Sequence, residues 1–170
     1  ALVWAETSYR PPPGAGGERH GDSATYERII ARMKAGEAYY PAAHAELVAN
    51  DYGTRSVFNW RTPLYPTLVS LLPSIGFAQV LLAGLALAAA LMAGRLAIGE
   101  GGLPVATALG ASLVVSLATC LAPATVLFSE TAAGVLILMS VAARGLRWHW
   151  LAFAAAVLAL FIRELAAPFV

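Results

Sequence analysis

Charge is what most of this chain lacks. Fourteen charged residues fall within residues 1–63, and only seven follow in residues 64–170: Arg95, Glu100, Glu130, Arg144, Arg147, Arg163 and Glu164. The second region is built for lipid. Cysteine is almost absent as well. Cys120 stands alone inside an apolar run, which excludes a disulfide framework and a cysteine metal cluster and leaves a small core hydrophobe. No glycine-rich loop of the Walker type is present, and no basic, aromatic-interleaved face for nucleic acid. His20 and His44 have no third ligand at a recognisable spacing, so no metal site is assigned. The alternating pattern of a membrane barrel is missing. So is a signal peptide, because Ala1–Trp4 is only a scrap of apolar sequence before a polar loop. That scrap, and apolar ends without terminal punctuation, lead us to expect a fragment of a longer protein with a helix before it.

What is present is hydrocarbon. A bilayer core about 30 Å thick takes about 20 mostly apolar residues per helix, so residues 64–170 have room for about four passes. Backbone amides in hydrocarbon must pair within their own element, and sequences this rich in Leu and Ala do so as helices. We therefore expect an all-α fold, a polytopic transmembrane helical protein with a long extracytoplasmic first loop (1–63) that contains an amphipathic helix.

Within that loop, Pro11–Pro13 with Gly14, Gly16 and Gly17 make Glu6–Gly17 irregular. Asp22–Ala35 reads as a helix: Tyr26, Ile29, Ile30 and Met33 share one face, Asp22 or Ser23 can cap its start, and Gly36 can close its end. Glu37–Pro63 mixes Tyr39, Tyr40, Tyr52, Phe58 and Trp60 with breakers and reads as a folded loop near the headgroups. Leu64–Leu72, bracketed by Pro63 and Pro73, reads as an interfacial helix or the first turns of a span. Gly76–Ile98 is the next span and Gly99–Gly102 a turn. Leu103–Ala143 is long enough for two passes, with Glu130 marking the hairpin tip. The last span, Trp148–Val170, is interrupted by Arg163–Glu164, and Trp148, His149 and Trp150 form an interfacial belt.

Lys and Arg in short loops stay on the cytoplasmic side. Arg95 lies in one short connection and Arg144 and Arg147 in another, on the same side if the hairpin between them holds. Helix counting then gathers Asp22, Arg61, Glu130 and Arg163–Glu164 at the outer face. Acids and bases at membrane depth usually face a cavity or each other, so a polar pocket at that surface is expected.

Several short motifs occur in a familiar order: GDSATY at Gly21–Tyr26, then Gly36, Tyr39 and Tyr40, FNWRTPLYP at Phe58–Pro66, LFSE at Leu127–Glu130 and the pair Arg163–Glu164. Together they resemble the GT-C-fold glycosyltransferases that use polyprenyl-phosphate donors, ArnT and protein mannosyltransferase relatives among them. The resemblance implies that Asp22 is the catalytic or acceptor-orienting carboxylate, with Glu130 a second catalytic acid. It places Arg61 on the lipid phosphate, where relatives often carry Lys and a second proline, and turns Tyr26, Tyr40, Asn59, Arg163 and Glu164 toward donor or substrate. It further implies a polyprenyl-phosphate-linked sugar as donor, no resident cofactor beyond an optional divalent metal, membrane lipid as the surrounding partner, and a bacterial inner-membrane, multi-pass location with the loop 4–63 outside.

Plainer roles stand beside these. Asp is a favoured helix cap, Glu130 can be a solvated tip, Arg61 a snorkelling anchor, Arg163–Glu164 an adjacent structural pair and Tyr39–Tyr40 interfacial packing. The rival to an enzyme is a non-catalytic membrane protein, either a transporter or flippase fragment or a scaffold subunit. A transporter places polar breaks at mid-bilayer depth in paired repeats, whereas the charges here cluster at helix ends.

Overall fold

A computed structural model describes residues 21–54, 60–122 and 125–163, and these are helical with no strand among them. The helices are α1 (Asp22–Lys34), α2 (Tyr39–Ala49), α3 (Leu64–Leu71), α4 (Ile75–Ala118), α5 (Ser129–Gly145) and α6 (His149–Ile162), with 3₁₀ turns at Thr119–Leu121 and Thr125–Leu127 between α4 and α5.

α1 falls where its apolar period places it, but its cap does not. Gly21 holds the cap position with extended backbone and no side-chain cap bond is made; the Gly21 carbonyl accepts the amides of Ala24 at 3.0 Å and Thr25 at 3.3 Å. Asp22 is thus the first helical residue, favoured by the helix dipole but free of capping duty. The other end closes as expected. Gly36 takes φ 97°, and the amides of Gly36 and Glu37 return to Met33 and Arg32 at 3.0 and 3.1 Å, the paired bonds of a Schellman motif.

α2 replaces what the sequence presents as loop. Pro41 is its third residue, and in the first turn the missing N–H has no intrahelical acceptor to lose. Pro66 sits in the same place in α3. α2 ends on a second Schellman motif with Asp51 at φ 58°, in which the Tyr52 amide bonds the Leu47 carbonyl at 2.9 Å. That turn fixes where Tyr52 points.

α4 is a 44-residue helical run broken at Gly102, φ 69° and ψ −167°. The Gln79 amide donates to the Cys120 carbonyl. In a straight helix these residues would lie about 60 Å apart, so the run folds back on itself near Gly102 into limbs 75–101 and 103–118. A Cβ at Gly101 would collide with the Val105 side chain, and the Gly102 conformation is one that only glycine adopts readily. Gly102→Ala is therefore expected to destabilise the fold by about 1–3 kcal/mol, measured by thermal unfolding in detergent.

The connection expected at Glu130 lies just before it, across residues 119–128. Glu130 is in the first turn of α5, where a carboxylate suits the positive end of the helix. α6 stops at Ile162, and Arg163 leaves it with extended backbone; the remainder of the expected span, residues 164–170, lies outside the described residues. α4 is the one helix among the described residues long and apolar enough to cross a membrane, and α6 is apolar but shorter.

Small residues let these helices approach closely. Ala78, Ala86, Ala89, Ala93 and Ala97 line the buried side of α4, Ala132, Ala133 and Ala143 that of α5, and Ala152, Ala155 and Ala159 that of α6. Ser140 donates to the Ala152 carbonyl at 2.9 Å. Arg95, expected in a short connection, lies within the first limb of α4, where it shares a groove with Gly145 and Leu146 at the end of α5. At the other end α1 is held between two cores: Ile30 packs with Tyr65 and Val69 in the main core, and Ile29 with Tyr39, Ala42 and Ala43 in a smaller one.

Candidate functional site

The polar residues at that second end are assembled by backbone as much as by charge. Thr62 donates its hydroxyl to the Ile162 carbonyl at 2.6 Å, an orphan carbonyl at the end of α6. The bond ties the residue after Arg61 to the residue before Arg163. Both guanidinium groups then meet Glu130: Arg61 Nη1 lies 2.6 Å from Glu130 Oε1, and Arg163 Nη2 lies 3.2 Å from the same oxygen. Helix α5, the 60–63 segment and the end of α6 each contribute one member.

Arg61 is further braced. Its Nε donates to the Tyr26 hydroxyl at 2.9 Å and its backbone amide to the Tyr39 hydroxyl at 3.2 Å. The Tyr26 ring packs edge-on against Phe128, 5.8 Å between centroids. Burial works against the Arg61 cation, yet the Tyr26 hydroxyl and the Glu130 carboxylate outweigh it and hold the guanidinium above its ordinary value.

Asp22 lies one turn before Tyr26 on α1, hence on the same face. Its carboxylate accepts a hydrogen bond from the Tyr52 hydroxyl, and that bond leads the causes that raise the Tyr52 phenol. Tyr26, Arg61, Glu130 and Arg163 thus form a connected series from α1 to the start of α5 and the end of α6, and Asp22 lies one turn away from it on α1. The lobe that presents Asp22 is clamped: Glu46 on α2, with its side chain 12% exposed, accepts from Arg28 Nε at 2.7 Å and Arg32 Nε at 3.0 Å, while Arg28 Nη2 reaches Asn50 Oδ1 at 2.8 Å.

Of the remaining candidates, Tyr40 stands in an exposed aromatic group, 5.2 Å from the Tyr39 ring and 6.1 Å from Trp60, on which His44 stacks. Asn59 and Glu164 lie outside the described residues. Two participants escaped sequence reasoning. Tyr52 carries no motif, and only the Asn50–Asp51 pair, tolerant of left-handed backbone, marks the turn that aims it. Thr62 looks like an ordinary loop residue.

Tyr39 offers a pH test. Burial pushes its phenol from 10.0 up to about 12. The neutral form is favoured in the folded lobe, so this contribution is complete below pH 10 and is lost as pH climbs from 10 toward 12. At most about 3 kcal/mol is at stake. Absorbance titration should show late-ionising tyrosines, with the amplitude near pH 12 reduced in Tyr39→Phe.

Among the described residues no three His, Cys, Asp or Glu side chains gather as a metal would require. Compared with known protein families, curated proteins and solved structures, the chain finds no match.

Proposed function

We propose that this chain is the outer-loop and early-helix part of a membrane glycosyltransferase of the GT-C type, which takes a sugar from a polyprenyl-phosphate donor at the outer face of the bacterial inner membrane. One observation carries the proposal. Two arginines converge on Glu130 at the ends of apolar helices, and Asp22 stands on the same helix face as the tyrosine that braces one of them. The outward side chains of α4 and α6, such as Leu91 and Phe161, are apolar, which supports a lipid surround. The order of the sequence motifs supports the family.

Glycosyl transfer needs a carboxylate for the acceptor proton and a cation for the departing phosphate. Tyr52 donates to one oxygen of Asp22 and leaves the other for an acceptor hydroxyl. As that hydroxyl passes its proton to Asp22, its oxygen bonds to the anomeric carbon. The carbon–oxygen bond to phosphate breaks, and the polyprenyl phosphate leaves with the electron pair. Arg61, with Arg163 beside it, meets the charge that develops there. An arginine fork can hold a phosphate through two parallel bonds, where lysine offers a point charge.

In the full-length protein, Arg61→Ala should lower transfer from a polyprenyl-phosphate donor strongly while Arg61→Lys keeps part of it. Unchanged donor use by the alanine variant would make Arg61 an anchor and remove the phosphate assignment. The orientation has its own check. A cysteine at Ala49 should react with an impermeant thiol reagent in intact cells and one at Glu100 should not; the reverse pattern would put the cluster on the wrong side for this chemistry.

A further inference from the structure

The arginine cluster is only half filled. Arg163 Nε is buried and has no hydrogen-bond partner among the described residues, although Nη2 of the same guanidinium reaches Glu130. Nε and Nη2 form the side-on fork of arginine, two parallel N–H groups that suit an anion with two adjacent oxygens. Glu130 fills one tine with Oε1 and spends that same oxygen on Arg61. Among the described residues its other oxygen accepts from the Ser129 hydroxyl alone, at 3.3 Å.

The three members also differ in freedom. Arg61 and Arg163 side chains are 19% and 14% exposed, and Glu130 is 44% exposed. The cations are held from behind, Arg61 by Tyr26 and Tyr39 and the chain at Arg163 by Thr62. Glu130 faces out from the first turn of α5 with no such brace. Two poorly solvated guanidinium groups cannot sit together without a counter-ion, and one carboxylate leaves the cluster with a net positive charge.

We infer that Glu130 is a stand-in for the donor phosphate: it keeps the two arginines assembled when the site is empty, and the phosphate ester enters by displacing it from both guanidinium groups. This inference rests on the donor-phosphate reading above and adds to it an internal competitor. Glu130 then sets how tightly the donor binds and helps the spent lipid phosphate leave, because its carboxylate retakes the fork.

The test uses the full-length protein in nanodiscs with farnesyl phosphate as probe and farnesol as the uncharged control. Wild type should bind farnesyl phosphate more tightly than farnesol; equal binding would overturn both this inference and the donor-phosphate reading. Given that preference, Glu130→Gln, which keeps the shape and drops the charge, should bind the probe about tenfold more tightly. Arg163→Gln should weaken it. A folded Glu130→Gln protein that binds equally or more weakly would overturn the stand-in role while leaving the donor-phosphate reading intact. If that variant does not fold, wild type alone decides. Carbodiimide coupling of a small amine to Glu130, followed by mass spectrometry, should rise when farnesyl phosphate is bound, and unchanged or reduced coupling would overturn the inference.

Discussion

Asp22→Asn is expected to abolish most sugar transfer while leaving expression and membrane insertion unchanged. Asparagine keeps the size of the side chain and can still accept the Tyr52 hydroxyl, so the local geometry survives. No cap is lost, because Gly21 occupies that position and no side chain bonds the end of α1. What disappears is the ability to take a proton, and general-base work is worth about 10²–10⁴-fold in rate. Asp22→Glu should keep part of the activity, and Tyr52→Phe should cost roughly tenfold, since the carboxylate loses the donor that aims it. The measurement is transfer from a polyprenyl-phosphate donor in membranes holding matched amounts of each full-length variant. Near wild-type transfer by the asparagine variant would remove Asp22 from the chemistry and most of the support for an enzyme.

Glu46→Ala should be the most damaging change outside the cluster. Glu46 accepts from Arg28 and Arg32 at once, and removing it leaves two half-exposed guanidinium groups one turn apart on α1 without their carboxylate from α2. A fully buried pair broken in this way loses about 3–5 kcal/mol. Solvent reaches both arginines here, so roughly 2 kcal/mol is the better expectation. Amide hydrogen exchange in α1 and α2 should then accelerate by about 30-fold, if local opening of the lobe governs exchange. Transfer should fall too, because α2 carries the turn that sets Tyr52 on Asp22. Exchange confined to its wild-type rate would show that apolar contacts around Ile29 and Tyr39 hold the lobe without the ion pairs.

The elements most legible in the sequence were those set by period or by forced geometry. The i, i+3, i+4, i+7 face of α1 and the left-handed Gly36 appear where the pattern places them, because each rests on a local rule that packing does not override. The reversal near Gly102 follows from glycines that nothing larger could replace. α2 was hidden by Pro41, which looks like a breaker until its place in the first turn is known. Helix counting brings Glu130 to the same end as Arg61 and Arg163, where the three do meet, but a lone charge in an apolar run suggests a solvated hairpin tip and does not say that both arginines pair with it. Their meeting depends on Thr62 and Ile162, a contact that no spacing announces. Asp22 was visible as a residue of interest, but Tyr52, its partner, was not, since the bond depends on how two helices dock.

Gln79 carries a consequence of another kind. Its amide donates to the Cys120 carbonyl and accepts the Val126 N–H at 3.3 Å, while Tyr65 donates to the Val126 carbonyl at 2.6 Å. Val126 is buried in the 3₁₀ turn Thr125–Leu127 between α4 and α5, and its N–H and carbonyl are met by these two side chains. In oil an unmatched peptide group loses several kcal/mol. A primary amide answers both needs with one head group because it gives and takes at once. Glutamate would repel the Cys120 carbonyl, lysine could not receive the Val126 hydrogen, and leucine would serve neither. Position 79 is therefore chemically monogamous, and its tolerance for substitution should be narrower than that of any apolar neighbour on α4.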